Sequence, residues 1–457
     1  MEKFFKLEEN GTNVRLEISS GITTFLAMVY ILAVNPSILS AAGMDAGSVF
    51  TATCVSAAIG CFCMAFMANY PVALASGMGL NAYFAYTVVP NLVESGVQNA
   101  WQIALTAVLV EGIVFILLSA TNFREMLVND IPANLKHAIT AGIGLFITII
   151  GLKNAGIVVG TKDSTLIGFG DLATPQVALA IIGILIVAVL YHYNVRGYIL
   201  IGILVTWVLG MIAQLTGWYV VDVKDGVYSL FPSFSSENFL PADKNIFAFD
   251  FAWAGSHLLD FTVVVFSFLF VDIFDTVGTL IGVASKGNLL DENGNLPNAK
   301  GALLSDAIAT VVGACLGTST VTSYVESTAG VANGGRTGLT AVTTGILFLI
   351  SLFLSPIFLA IPSFATTPAL VWVGLLMLSS IKEVDFSGDT ADAVGAFMAI
   401  IMMPFTSSIA NGIMWGMLTW VLLKVFTKKA KDVRPIMWVV FVLFAAYALK
   451  LIFLPTM

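Results

Sequence analysis

Charge is the scarcest commodity in this chain: 11% of its 457 residues are Asp, Glu, Lys or Arg, less than half of the roughly one quarter usual in a soluble domain. Hydrophobic residues make up 58% and the mean hydropathy is +0.94, which excludes a water-solvated fold. No basic patch suggests a nucleic-acid partner. Histidine is limited to His137, His192 and His257, all at segment ends, where an interfacial place is expected. Of the four cysteines, Cys54, Cys61 and Cys63 share one apolar segment and Cys315 lies in another, with no His or acid at ligand spacing; packing is expected of them, and no metal site. No small-residue cleavage site follows the mixed-charge stretch 1–18, so it reads as a cytoplasmic tail and not a signal peptide.

What is present in abundance is apolar sequence in runs near the roughly 20 residues a helix needs to cross about 30 Å of hydrocarbon. With Pro, Gly and charge as punctuation, spans fall near 19–41, 48–68, 71–90, 100–120, 132–151, 175–192 and 197–216, and, after a polar stretch, near 258–282, 301–316, 318–332, 337–360, 367–381, 389–407 and 409–426. The expected organisation is a tail (1–18), a first set of seven spans (19–217), an extracytoplasmic loop (218–257), a second set of seven (258–427), and a basic stretch with an extra apolar helix (428–457). With a cytoplasmic N-terminus, Arg124, Arg196, Lys286, Lys300, Arg336, Lys382 and the cluster from Lys424 to Arg434 fall inside, against Lys153, Lys162, Lys224 and Lys244 outside. Whether Pro435 to Leu454 spans the bilayer or lies along it stays open.

The two sets look related. Hairpins 174–210 and 390–422 both close on T-W-V-L, and because seven is odd, two tandem units must sit in opposite orientation. Inverted repeats are the architecture of secondary transporters, with the substrate site at midplane where the repeats meet. The third segment of each set is poor material for a continuous helix. One opens Y-P-V-A-L-A and continues S-G-M-G-L-N-A-Y-F; the other opens T-S-T-V-T-S-Y-V before E-S-T-A-G. Each predicts an extended entry followed by a half-helix, the second starting near Glu326. A re-entrant loop of purely structural role is the alternative for 318–332. Irregular backbone at membrane depth is tolerated only inside protein or along a wet cavity.

Acids inside apolar segments mark the working centre. In V-D-I-F-D-T-V-G-T-L, helical rotation brings Asp272, Asp275, Thr276 and Thr279 within an arc of about 100°, and Gly278 and Gly282, four apart, are expected to let a neighbouring helix approach. No Lys or Arg lies inside the spans that carry them, 258–282 and 318–332, to neutralise Asp272, Asp275 or Glu326. Each must be protonated, hydrated, or met by a cation or a substrate donor, which makes proton coupling the economical reading, with sodium the alternative ion and no other cofactor. Asp272 is equally read as a tie to Thr or backbone. Asn81 offers donor and acceptor, or braces the break; Tyr83, Phe84 and Tyr324 offer flat faces; Asp306, near the cytoplasmic end of its span, is expected in water. Acceptors, half-helix N–H groups and aromatic faces without arginine suit a small, flat, neutral molecule carrying N–H groups, such as a nucleobase.

The stretches G-I-T-T-F-L-A-M-V-Y-I-L-A-V-N-P (21–36), S-G-M-G-L-N-A-Y-F (76–84), V-D-I-F-D-T-V-G-T-L (271–280) and T-S-Y-V-E-S-T-A-G-V-A-N-G-G-R-T-G-L-T (322–340) closely resemble the AzgA-like purine permeases, within the nucleobase and ascorbate transporters. The resemblance covers nearly the whole chain. It implies an all-α membrane protein of fourteen spans as a seven-plus-seven inverted repeat, with spans 1–4 and 8–11 as a core moving against a gate of spans 5–7 and 12–14. It also implies import of adenine, guanine or hypoxanthine with a proton across a cell membrane of the bacterial inner-membrane type. On this resemblance Glu326 and Asp275 are the substrate-binding and coupling acids, Gly79 and Asn81 fall on third-span functional positions, and Tyr324 and Val325 offer ring and backbone contacts. Thr276 accompanies Asp275 in the expected binding set, and Asp272 joins the coupling acids. A homodimer is one expected assembly. A symporter for uracil, xanthine or urate, an ion channel, and an intramembrane enzyme using paired Asp are the alternatives.

Overall fold

Apolar runs of span length fold as helices because a backbone without water must satisfy its own N–H and C=O groups. The computed structural model describes residues 2–120, 131–160, 167–221, 229–234, 243–291 and 296–453; Arg124, Lys162 and Lys224 of the expected loops lie outside these. The first span is α1 (Val14–Met28) and α2 (Ile31–Ser40), separated by a turn at Val29 and Tyr30. There follow α3 (Ala46–Cys63), β1 (Leu74–Ser76), α4 (Met78–Tyr83), α5 (Ala100–Ala120) and α6 (Ala133–Asn154). A surface hairpin of β2 (Val158–Gly160) and β3 (Ile167–Phe169) leads to α7 (Pro175–His192) and α8 (Tyr198–Leu215). The second set runs α9 (Leu258–Lys286), α10 (Ala299–Leu316), β4 (Val321–Ser323), α11 (Ser327–Ala332), α12 (Gly338–Ser351), α13 (Ser363–Leu378), α14 (Thr390–Phe405) and α15 (Ile409–Phe426).

Eleven helices of the described residues are long and apolar enough to cross a membrane, and Thr390–Phe405 is a shorter apolar helix. With the two broken segments these match the fourteen expected spans. Both breaks form as predicted: an extended strand, then a short helix beginning at Met78 in one and Ser327 in the other. The sequence reading did not foresee that the two strands pair with each other. β1 and β4 are antiparallel, with Leu74 opposite Ser323, Ala75 opposite Thr322 and Ser76 opposite Val321. An antiparallel pair is what a two-fold axis lying in the membrane plane makes of two equivalent segments. Gly317, at φ +95°, ends α10 in the left-handed region and sends the chain back into the protein as β4.

The helices pack as two groups. α1, α3, α5, α9, α10 and α12 form one, in which α3, α9 and α10, joined by α2, pack against the strand pair, whereas α6, α13, α14 and α15 pack together with α7 and α8 laid on α13. The repeated T-W-V-L places Trp207 and Trp420 alike, both buried. Trp207 Nε1 donates to the Leu230 carbonyl at 2.8 Å, and Trp420 Nε1 to Asp392 Oδ1 at 2.5 Å. A further helix, α16 (Pro435–Phe453), packs beside α15 and α9 through the buried stripe Met437, Val440 and Phe444. Phe444 meets Phe266 of α9 edge-on at 5.7 Å. Its 19 residues reach about 28 Å, and it packs against these two spans.

One end of the second group is closed by charge. Asp389 caps α14 through the Ala391 N–H at 2.8 Å and accepts from Lys429 at 2.6 Å and from Lys424 at 3.1 Å. The Lys429 hydrogen bond, the Ala391 N–H and Lys424 hold the Asp389 carboxyl well below the usual carboxylate range. Its contribution to stability is therefore complete above the ordinary Asp value of about 4 and is lost only as pH falls through the lowered folded value. The Lys424 side chain is 6% exposed and that of Asp389 18%, so their pair lies between the exposed and buried limits. Lys424→Met is expected to destabilise the helix hairpin by about 2 kcal/mol. A lower melting temperature in detergent at pH 7 checks this; an unchanged one would assign the pair no stabilising role.

Candidate functional site

The strand pair is the floor of the site. Beyond the register pairs, Gly77 N donates to the Thr320 carbonyl at 2.9 Å and Tyr324 N to the Ala73 carbonyl at 3.0 Å. Two side chains cross between the broken segments: Tyr324 Oη donates to the Ser76 carbonyl at 2.5 Å, and Ala73 N donates to Ser327 Oγ at 3.0 Å. The β-branched run Thr318 to Thr322 favours extended backbone, so the chain reaches Glu326 as a strand and turns there into α11. Glu326 is half-buried, and Tyr30 Oη donates to its Oε1 at 2.5 Å. Tyr30, fully buried at the turn between α1 and α2, was not singled out from sequence; a hydroxyl within the apolar run L-A-M-V-Y-I-L was the available signal.

A second polar knot lies where α9 meets β4. The Thr276 hydroxyl contacts Asp272 Oδ1 at 3.3 Å, Asp306 Oδ2 at 2.8 Å and Thr322 Oγ1 at 2.9 Å, and Ser323 Oγ donates to Asp306 Oδ1 at 3.1 Å. The Thr322 side chain also hydrogen-bonds Asp275, whose carboxylate neighbours are Asp306 and Glu326. Thr276, Thr322 and Ser323 carry one hydroxyl hydrogen each. Without bifurcation, these contacts are completed only when carboxyl oxygens also supply hydrogen. Asp306 corrects the sequence reading: it is fully buried, because α10 packs into the centre of its helix group and turns this residue toward β4, not toward water. Neither Asp275 nor Glu326 makes an ion pair among the described residues.

Other expected contributors are placed differently. Asn81 is fully buried, donating to Asn35 Oδ1 at 2.7 Å and accepting from Ser76 Oγ at 3.1 Å. Asn35 in turn donates to Thr53 at 2.7 Å and Thr318 at 2.9 Å. Asn81 is thus a brace between the first span and both breaks, and the expectation that its amide meets a ligand gives way to that. Gly79 packs on α6, where an added Cβ would stand 2.9 Å from Ile143 Cγ2, so it lies at a contact between the helix groups. Tyr324 is 4% exposed with its hydroxyl engaged, whereas Val325 is 43% exposed. Tyr83 and Phe84 form no ligand wall: both are buried against Phe268, at 4.9 and 6.4 Å between ring centres. A cluster of Tyr191, Tyr198 and Trp372 lies in the other helix group. Trp372 Nε1 donates to Tyr198 Oη at 3.1 Å, and Tyr198 lies near enough to feel the charge of Glu326.

Gly278 and Gly282 do not receive a helix, contrary to expectation. Both are exposed, and a Cβ at either would meet nothing within 4 Å. They follow Asp275 on one face of α9 at intervals of three and four residues, so that face is open from the half-buried Asp275 toward the Lys286 end. Among the described residues no cluster of His, Cys, Asp and Glu could hold a metal ion.

The chain resembles known permeases over nearly its whole length. The family model Xan_ur_permease, described as "Permease family", matches residues 15–415. The chain is 42% identical to adenine permease AdeP of Escherichia coli (strain K12) over 99% of this chain and 96% of that one. It is 43% identical to guanine/hypoxanthine permease PbuG of Bacillus subtilis (strain 168) over 98% of this chain and 99% of the other. Among solved structures, the transmembrane domain of the cyanobacterium bicarbonate transporter BicA superposes with a TM-score of 0.65 at 16% identity, covering 88% of this chain and 97% of that domain. At that identity the likeness is one of fold.

The open face of α9 is testable. With the half-buried Cys63 and Cys315 replaced by Ser, a Gly282→Cys protein is expected to react with a charged maleimide severalfold faster than a Val442→Cys protein, whose residue is 63% exposed on the apolar α16. Equal, slow labelling would place the glycine face against lipid.

Proposed function

This chain belongs to the permease family matched by the Xan_ur_permease model, a family of transporters and not of enzymes, and from that premise we propose that it imports purine nucleobases by symport with a proton. The observation that carries the reading is Glu326: a half-buried carboxyl without an ion pair among the described residues, at the start of a half-helix, beside a tyrosine hydroxyl. A neutral base with ring or exocyclic N–H groups is the partner such an acceptor suits, since a bare anion would be repelled and a cation would find no matching selectivity for shape. The relatives named for adenine and for guanine or hypoxanthine support the purine class. Val325 offers exposed surface next to Glu326, and the Tyr191, Tyr198 and Trp372 cluster supplies the flat face that Tyr83 and Phe84 do not.

Proton coupling is supported by the shortage of hydroxyl hydrogen around Asp272, Asp275 and Asp306. A proton on that knot supplies one of the two hydrogens that its five contacts lack beyond the three hydroxyls, and its departure adds buried negative charge there. Loading with proton and base together therefore relieves both carboxyl sites at once. Release is to the cytoplasm along the open face of α9, with the N-terminus on the same side, as the excess of Lys and Arg in the expected inside loops supports. The two helix groups then correspond to a core and a gate, and translocation is a movement of one past the other with Gly79 at their contact.

Proteoliposomes with an alkaline interior are expected to accumulate labelled hypoxanthine, guanine or adenine saturably, with cross-competition among the bases, and to lose the accumulation on addition of a protonophore. Absence of purine uptake in every condition would overturn the reading; persistence under the protonophore with dependence on sodium would replace the ion. Glu326→Gln is expected to abolish uptake. Asp275→Asn is expected to lower it by about ten- to a hundredfold, the worth of one hydrogen bond to a charged group in a desolvated site.

A further inference from the structure

A two-stranded sheet leaves the outward-facing N–H and C=O groups of both strands unpaired, and at membrane depth water is not there to complete them. In β1 the outward residues are Leu74 and Ser76; the Ser76 carbonyl receives Tyr324 Oη, and at Leu74 one atom serves both groups. Leu74 N donates to Cys61 Sγ at 3.3 Å, and the Cys61 thiol lies 3.5 Å from the Leu74 carbonyl, to which it donates. In β4 the outward residues are Val321 and Ser323, and at Val321 again one atom serves both groups. Val321 N donates to Thr310 Oγ1 at 3.3 Å, and Thr310 Oγ1 donates to the Val321 carbonyl at 2.9 Å.

The correspondence follows the repeat. Leu74 and Val321 each open their strand, and the antiparallel register makes them equivalent about an axis through the Ala75–Thr322 pair. Cys61 lies on α3 and Thr310 on α10, the second span of each set. Both helices approach their strand through a glycine. A Cβ on Gly60 would stand 3.1 Å from Leu74 Cβ, and one on Gly313 would stand 2.8 Å from Val321 Cγ2. The strands so held carry the site: Thr322 touches Asp275 and Thr276, Ser76 touches Asn81 and receives Tyr324, and Glu326 follows β4 by three residues.

We propose that Cys61 and Thr310 are a matched pair of positioning residues, one per repeat, that hold the outer edges of the strand pair and thereby set Glu326 and Thr322 for substrate binding. The functional half of this rests on the reading of Glu326 and Asp275 as binding groups. The thiol is the weaker hydrogen-bonding group of the two, so the β1 edge is the more loosely held, and a hydroxyl at position 61 substitutes for it.

Cys61→Ala and Thr310→Val are each expected to raise the KM for purine uptake about fivefold while the maximal rate stays within about twofold, and Cys61→Ser and Thr310→Ser to keep the wild-type KM. Amide exchange read by mass spectrometry gives a second measure without substrate. Exchange over 72–77 is expected to quicken about tenfold in Cys61→Ala and over 319–324 in Thr310→Val, with α6 and α13 unchanged. Wild-type KM and wild-type exchange in both variants would overturn the proposal, as would a folded Cys61→Ser protein with a raised KM. If Cys61→Ala does not fold, Thr310→Val and the two serine variants decide by the same criteria. If the wild-type protein takes up no purine, the substrate reading fails by itself, and the exchange measurement still decides: local loss of protection supports the pair, and unchanged protection overturns it.

Discussion

Backbone that is neither helix nor barrel in the middle of a bilayer must find every hydrogen-bond partner within the protein, and the central architecture of this chain answers to that demand. Each broken segment alone would expose a strand to an apolar medium. Set antiparallel, the two satisfy one edge each with the other, and the remaining edges turn to side chains: Cys61 and Thr310 outward, and the Tyr324 hydroxyl on the Ser76 carbonyl. Four helices, α2, α3, α9 and α10, pack against the pair, and Gly60 and Gly313 lie where α3 and α10 face the strands.

The same constraint concentrates the polar chemistry. Strands that must be enclosed are enclosed by helices carrying hydroxyls and acids, so Asp272, Thr276 and Asp306 gather at β4, and Asn35, Asn81 and Thr53 gather on the other side. One knot is neutral and fully satisfied; the other is rich in carboxyls and short of hydroxyl hydrogen. The first ties the first span to both breaks, and the second joins α9 and α10 to β4. Glu326 lies just past β4, where the chain leaves the enclosed strand for a half-buried position, held by a phenol from the turn in the first span. A carboxyl in such a place is neither hidden nor freely solvated.

The two helix groups are joined by limited contacts. Gly79 touches α6 at one seam, and α16 lies across another, on α15 of one group and α9 of the other. The charge cluster of Asp389, Lys424 and Lys429 is confined to one group, so it stiffens a body without bridging the two.

Sequence by itself determined the environment, the number of spans, their doubling, the two breaks and the helix start at Glu326, because each of these follows from local composition: apolar length, a recurring T-W-V-L, and proline, glycine or β-branched residues in place of helix formers. It also marked Asp272, Asp275, Thr276 and Glu326, since acids and hydroxyls on apolar segments stand out without knowledge of their neighbours. Tertiary structure alone decided who meets whom. Tyr30 reaches Glu326 across nearly 300 residues of chain, Asp306 turns inward from a span whose register gave no hint of it, and Asn81, Tyr83 and Phe84 prove to be braces and packing because other helices cover them. Gly278 and Gly282, a contact motif by spacing, face open space because no helix of the described residues comes to that side of α9. Spacing along one helix defines a face; only the packing of the others determines whether that face meets protein, lipid or a passage.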